Sequence, residues 1–252
     1  MRAVAARQRF WEIDCVRGCS VALMVGFHSV YDLFTLSVGA AGLGRDIPQL
    51  RLPVYLIWQH GTAILFLLLA GVSLTLGGTR HEKRRGYPSL LIRGAKIFAW
   101  GLAITLLTRL VLGRGYVVFG ILHLIGLSVA LSYPFLNRAA WNLGWGALAI
   151  GAGIFLSRLD FSFPWLVWAG FVPPDFFSVD FFPFFPWFGF ILWGIWIGNL
   201  CYANGRRRWR LAEKAPPGLG WLCFLGRNSL AVYLIHQPAL LMLWMLWRAV
   251  KF

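Results

Sequence analysis

The first apolar segment of the chain carries four ionisable residues at helical spacing. Arg17 and His28 are eleven residues apart, so an α-helix places them on one face, about 16 Å apart along its axis. Asp14 and Asp32 fall within about 40° of His28 around the same helix. Because a charged side chain at the centre of a membrane helix costs about 2.5 to 3.5 kcal/mol, four such residues on one face indicate a functional site.

The pair formed by His28 and Asp32 has the composition of an acyl-transfer catalyst. The two residues are four positions apart, the spacing at which helical side chains meet. A carboxylate beside an imidazole fixes the tautomer of the ring and increases its basicity. The alternative is a structural histidine that bonds a neighbouring helix, with Arg17 and Asp32 at the two membrane interfaces. Because the polar face runs the length of a span, we favour catalysis.

Three further histidines lie in apolar segments. His60 follows Trp58 and Gln59 at a depth comparable with the outer part of the first helix, and it is a candidate for a second catalytic group. A lone histidine on an apolar helix is more often a hydrogen-bonded packing group, and this applies to His123 and His236. The sequence has no HExxH motif and no histidine pair at positions i and i+4, so we expect no metal site.

Basic residues surround the inner ends of the first three apolar segments. Arg17, Arg93 and Lys96 are candidates for binding the phosphates of an anionic cofactor, since Arg makes bidentate contacts to phosphate. The alternative is that they only fix topology and attract anionic lipid head groups.

The composition is that of a polytopic membrane protein. Hydrophobic residues make up 59% of the 252 residues and charged residues only 13%, against about 25% charged in soluble proteins. The net charge of +15 does not indicate a nucleic-acid partner, because the basic residues lie in short loops between apolar runs. No loop is long enough for a soluble domain, so we expect a single membrane-embedded domain over residues 1–252. The four Cys show no metal-like spacing, and we expect them to be free thiols.

Runs of about 20 apolar residues, the length that crosses a bilayer as a helix, predict an all-α transmembrane bundle of about seven spans. The stretch from Ser162 to Val172 is too short to span and ends at Pro173, which favours a half-inserted or interfacial segment. The Phe-rich segment Phe176 to Phe190 is predicted to be an anchor at the outer interface, and the alternative is a hydrophobic wall for a lipid-like or acyl group. The seven predicted spans are Asp14 to Leu36, Val54 to Gly77, Ser89 to Leu112, Tyr116 to Leu136, Ala139 to Leu156, Phe181 to Tyr202 and Asn228 to Val250.

The distribution of basic residues predicts the orientation of the spans. With the N-terminus inside, 13 of the 24 Lys and Arg residues lie in inner segments and 6 in outer segments. Because Lys and Arg are retained on the cytoplasmic side, the N-terminus is predicted inside and the C-terminus outside. The polar residues His28 and Asp32 argue against a cleaved signal peptide, so we expect an uncleaved first helix.

Several sequence blocks, taken in order along the chain, have the pattern of a known family. Arg17 and His28 are similar to the Arg/Lys-x10-His motif of the acyltransferase-3 proteins. The ordered set resembles bacterial membrane proteins related to the catalytic domain of heparan-alpha-glucosaminide N-acetyltransferase, in the wider transmembrane acyltransferase superfamily. The blocks are Trp11–Gly18, Phe27–Leu33, Leu65–Leu74, Phe119–Gly126, Phe185–Gly189, Leu225–Leu230 and His236–Pro238.

This resemblance implies transfer of an acyl group, expected to be acetyl, from cytoplasmic acyl-CoA to a hydroxyl or amine of a sugar or glycan at the outer side. It implies a multi-pass protein of a prokaryotic inner membrane, in contact with lipids and open to homodimer formation. Within the matching blocks we expect four residues to bind substrate: Tyr31, His123, Asn228 and His236. The rival hypotheses are a proton-coupled transporter or flippase, in which His28, Asp32 and His60 relay protons, and a catalytically silent scaffold.

Overall fold

The computed structural model describes residues 9–37, 52–78, 82–203 and 206–251. The chain is 74% helical, which confirms the predicted all-α membrane bundle. A two-residue antiparallel hairpin, β1 (Tyr202–Ala203) with β2 (Arg206–Arg207), follows the sixth helix. The helices are α1 (Trp11–Ser37), α2 (Pro53–Gly78), α3 (Glu82–Leu112), α4 (Ile121–Leu131), α5 (Ala139–Leu156), α6 (Phe184–Cys201), α7 (Gly220–Arg227) and α8 (Ser229–Lys251).

In the part of the chain described, five helices are long and apolar enough to cross a membrane: α1, α2, α3, α6 and α8. They correspond to five of the seven predicted spans. The other two predicted spans contain the shorter apolar helices α4 and α5. Helix α4 has 11 residues and therefore rises only about 16 Å, roughly half of a hydrocarbon core about 30 Å thick.

Helix α4 is shorter than predicted because the chain before it is not helical. Gly113 and Gly115 have φ values of 68° and 73°, which turn the chain after α3. The next residues run alongside the Phe-rich segment, where the amide of Phe182 donates to the carbonyl of Phe119 at 2.9 Å. Backbone groups of residues 115–119 thus accept hydrogen bonds from the Phe-rich segment and not from a helix of their own. The helix therefore begins only at Ile121. The stretch Ser162 to Val172 contains a single 3₁₀ turn, Val167–Ala169, and does not span.

The chain divides into two compact units. The first contains α1, α2 as far as Phe66, α7 and α8, and the second runs from Leu67 to Trp209. A single domain over 1–252 stays a prediction.

In the first unit, α7 crosses α1 with almost no space between the backbones. A Cβ atom added to Gly226 would collide with the carbonyl oxygen of Asp14, and one added to Gly18 with that of Leu222. Trp11 Nε1 donates to the carbonyl of Ala212 at 2.9 Å. The four cysteines, of which Cys15 and Cys223 are buried in this unit, are free thiols as predicted. Small residues thus fix the N-terminal half of α1 against α7.

The second unit is built from two close helix pairs, α3 with α4 and α5 with α6. Leu124 of α4 and Ile195 of α6 are fully buried. Gly94 of α3 faces Gly126 of α4, so these backbones approach as closely as small residues allow in membrane helices.

Replacing Gly126 by alanine is expected to destabilise the protein. Its Cβ would lie 2.6 Å from the amide nitrogen of Phe98 and 2.8 Å from the carbonyl oxygen of Gly94, both of which are backbone atoms that cannot rotate away. The matched control is Gly144→Ala in α5, where nothing lies within 4 Å of the added carbon. Alanine is favoured over glycine in a helix by about 1 kcal/mol, so the control should be neutral or stabilising. Thermal unfolding in detergent measures both, and equal midpoints would contradict the close approach of α3 and α4.

Candidate active site

His28 lies on α1 with its ring fixed by its own helix. Nδ1 donates to the carbonyl of Met24, with 3.0 Å between the atoms. The ring is partly buried and makes an edge contact with Phe27, with the centroids 5.6 Å apart. Because the neutral ring carries its proton on the nitrogen that donates, Nε2 is left with a lone pair that can accept a proton or attack a carbonyl carbon.

His236 of α8 lies directly against His28. The two ring centroids are 4.9 Å apart and the ring planes are nearly perpendicular, at 76°. His236 is 9% exposed, and its Nδ1 donates to the carbonyl of Tyr233 at 2.6 Å. Its Nε2 is buried and has no hydrogen-bond partner in the described residues. The structure therefore joins two imidazoles that are 208 residues apart in the sequence.

Asp32 is held by Gln237, the residue after His236. The amide nitrogen of Gln237 donates to both carboxylate oxygens of Asp32, at 2.9 and 3.0 Å. Asp32 is only 5% exposed, and a buried carboxylate needs such donors to offset the loss of water.

The predicted hydrogen bond between Asp32 and His28 is not found among the described residues. The His28 ring is bonded instead to Met24, one turn before it, and the amide of Gln237 on α8 donates to both oxygens of the Asp32 carboxylate. A backbone carbonyl therefore fixes the His28 tautomer, and the Asp32 carboxylate connects α1 to α8 by accepting from Gln237.

Gln237 is the site residue that sequence reasoning missed. The sequence feature that could have indicated it is Asp32 itself, because a carboxylate inside a membrane helix needs a hydrogen-bond donor from another helix. Gln237 lies in the matching block His236–Pro238, beside a candidate histidine. These features indicate a functional segment, but they do not indicate that Gln237 binds Asp32.

Aromatic side chains pack beside His28. The ring of Phe27 stacks on Tyr31, with the centroids 6.2 Å apart, and meets the edge of Trp58 at 6.0 Å. Trp58 Nε1 in turn donates to the carbonyl of Leu23 at 3.0 Å, which attaches the start of α2 to α1. Tyr31 therefore lies next to the candidate base, and its role in substrate binding stays a prediction.

The remaining polar candidates have local partners. His60 has an exposed side chain, and its Nδ1 donates to the carbonyl of Leu56 at 2.8 Å. Asn228 closes α7 by donating to the carbonyl of Phe224 at 2.9 Å. The catalytic role of His60 and the substrate-binding role of Asn228 stay predictions.

His123 belongs to the second unit and is 2% exposed. Its Nδ1 accepts from the amide of Gly120 at 3.2 Å, and its Nε2 lies 3.4 Å from the hydroxyl of Thr105. It thus caps the N-terminus of α4 and fills the space beside Gly101. This is the packing role usual for a lone histidine, and a substrate contact stays a prediction.

The sequence profile of the heparan-alpha-glucosaminide N-acetyltransferase catalytic family matches residues 9–238, which include every candidate residue above. The chain belongs to this family. No curated protein and no solved structure matches the chain. The match and the apolar helices together make it a multi-pass membrane protein of the acetyltransferase class.

The basic candidates of this family member lie on two different helices. Arg17 of α1 forms an ion pair with Asp14, with Nη1 and Oδ1 3.2 Å apart, and the two side chains are 19% and 15% exposed. Arg93 and Lys96 lie one helical turn apart on α3, in the second unit, where Lys96 is exposed and Arg93 partly buried. In the described residues, no group of three or more His, Cys, Asp or Glu side chains is arranged to hold a metal ion.

Proposed function

We propose that this protein is a membrane acetyltransferase that moves an acetyl group from cytoplasmic acetyl-CoA to the amine or hydroxyl of a sugar at the outer side of a prokaryotic inner membrane. The observation that carries the proposal is the environment of His28. It is an imidazole on a membrane-spanning helix, with Nδ1 fixed by a backbone carbonyl and Nε2 directed away from its own helix. Membership of the family supports acetyl transfer as the reaction, and Nε2 of His28 is a group that can catalyse it.

The chemistry follows from the His28 tautomer. Nε2 accepts the proton of the acceptor amine or hydroxyl while the acceptor attacks the thioester carbonyl, which displaces CoA. If the acetyl group passes through the enzyme, Nε2 is again the atom that carries it, because Nδ1 is engaged by Met24. General-base assistance of this kind contributes about 10² to 10⁴-fold.

Arg17 is the proposed anchor for the CoA phosphates. It lies on the same face of α1 as His28, about 16 Å closer to the cytoplasmic end, so an extended thioester arm could lie along that face. The ion pair with Asp14 holds the guanidinium in a defined position, and the planar guanidinium matches the geometry of a phosphate. Arg93 and Lys96 stay predicted cofactor contacts.

Replacing Arg17 by glutamine is expected to raise the KM for acetyl-CoA about tenfold or more while changing the KM for the acceptor little. The variant loses a charge-assisted hydrogen bond to phosphate, which is typically worth about 1.5 to 3 kcal/mol. Arg17→Lys should show a smaller effect, because it keeps the charge and loses the bidentate contact. The control is Arg158→Gln, an exposed residue beyond α5. An unchanged KM for acetyl-CoA in both Arg17 variants would exclude Arg17 from cofactor binding.

The proposed function is tested with the full-length protein in lipid nanodiscs. Acetyl-CoA and glucosamine are supplied, and free CoA thiol and acetylated sugar are measured together. We expect the two products in equal amounts. In sealed vesicles, uptake of glucosamine without release of CoA would instead support the transporter hypothesis and overturn the proposal.

A further inference from the structure

His236 is a buried polar group that the proposed function does not yet use. Its Nε2 has no partner in the described residues, although the side chain is more than nine-tenths buried. A buried polar atom without a partner is destabilising, so such atoms are rare unless a ligand or a proton uses them. The carbonyl oxygen of the neighbouring Gln237 side chain is buried and unpaired as well.

The two histidines have the same internal arrangement. In each ring, Nδ1 donates to a carbonyl of its own helix, that of Met24 for His28 and that of Tyr233 for His236. Nε2 lies on the opposite side of an imidazole from Nδ1, so both Nε2 atoms are directed away from their own helices. The ring centroids are only 4.9 Å apart, so two imidazole nitrogens that are not bonded to their own helices, one from α1 and one from α8, belong to the same cluster.

We infer that His236 is a second catalytic imidazole, which donates a proton to the departing CoA sulfur while His28 takes the proton of the acceptor. This rests on the proposed function and extends it. The acceptor nitrogen or oxygen forms a bond to the acetyl carbon, and the bond from that carbon to sulfur breaks. The acceptor's proton moves to Nε2 of His28, and the proton on Nε2 of His236 moves to the sulfur. Transfer of the proton from His28 to His236 then restores the starting state.

The charges around the pair favour one shared proton. Asp32 lies on α1 one turn after His28, and its two bonds to the Gln237 amide join it to the residue that follows His236. The phenol of Tyr233 is a further ionisable group in contact with His236, with 5.6 Å between the ring centroids. One imidazolium and one carboxylate make the cluster neutral, and this lowers the cost of keeping the proton inside the membrane.

The experiment compares two acetyl donors that differ in the acidity of the leaving thiol. The sulfur of acetyl-CoA leaves as a basic thiolate and benefits from a proton, whereas that of S-(4-nitrophenyl) thioacetate leaves as a stable thiolate without one. The variants are His236→Gln and His236→Asn, so that the comparison survives if one of them does not fold. The control is Ile235→Ala, which is 63% exposed on the same turn of α8. All are assayed full-length in nanodiscs with glucosamine as acceptor.

With acetyl-CoA, the His236 variants should lose about 10²-fold or more in kcat, within the range for general acid catalysis. With the aryl thioester they should lose less than about tenfold relative to wild type, while His28→Gln should be slow with both donors. An equal loss with both donors in the His236 variants would show that His236 only positions or binds, and would overturn the inference while the proposed function stands. Wild-type protein that transfers acetyl from neither donor would overturn the proposed function, and the inference with it.

Discussion

Replacing His28 by alanine is expected to reduce acetyl transfer by about 10² to 10⁴-fold while leaving the protein folded. The ring supplies the only imidazole nitrogen on α1 that can take the acceptor's proton, and its Nδ1 bond is made to a backbone carbonyl of its own helix. Loss of the ring therefore removes chemistry without leaving a buried partner unpaired. The rate is measured from CoA release with saturating acetyl-CoA and glucosamine, and folding from size-exclusion behaviour and thermal unfolding.

The companion variant is His60→Ala, because His60 is the other histidine predicted to take part in catalysis. Its side chain is exposed and its Nδ1 is also bonded to its own helix, so a similar fold is expected in both variants. If His28 is the principal base, His60→Ala should lose far less activity. A folded His28→Ala protein that transfers acetyl at the wild-type rate would remove His28 from the mechanism, and a larger loss in His60→Ala would move the role to His60.

The sequence predicted those features of the fold that depend on local pattern. Apolar runs of about 20 residues identified α1, α2, α3, α6 and α8, because span length and hydropathy are properties of a segment by itself. The limits of α4 depend on a different segment, the Phe-rich chain that pairs with residues 115–119. Hydropathy does not register that pairing, and the predicted span therefore started too early.

The site shows the same division between local and tertiary information. Helical periodicity placed Arg17 and His28 on one face of α1, and the structure keeps both on that helix. The pairings of His28 with His236 and of Asp32 with Gln237 join residues more than 200 positions apart, so one sequence alone cannot indicate them. The predicted pairing of His28 with Asp32 used the spacing along one helix, whereas the Asp32 carboxylate is bonded by Gln237, which lies on another helix.

Leucine substitutions at Asp32 and Gln237 are expected to separate the structural contribution of this pair from its catalytic one. Asp32→Leu leaves the Gln237 amide without its acceptor, and Gln237→Leu leaves the Asp32 carboxylate buried without its donor. Each single variant should lose about 1 to 3 kcal/mol in free energy of unfolding, with the larger loss in Gln237→Leu because the unpaired group is charged. Replacing both partners with apolar groups removes the unpaired atoms, so the double variant should recover most of the stability.

Activity should not recover with stability in that double variant. If Asp32 balances the charge of the proton shared by His28 and His236, then Asp32→Leu and the double variant should both be slower by about 10²-fold, whatever their stability. Gln237→Leu keeps the carboxylate and should retain more activity per folded molecule. Thermal unfolding and kcat measured on the same nanodisc samples give both quantities. Full activity in the double variant would show that Asp32 only holds α8 against α1, and the proton would then require charge balance from another group.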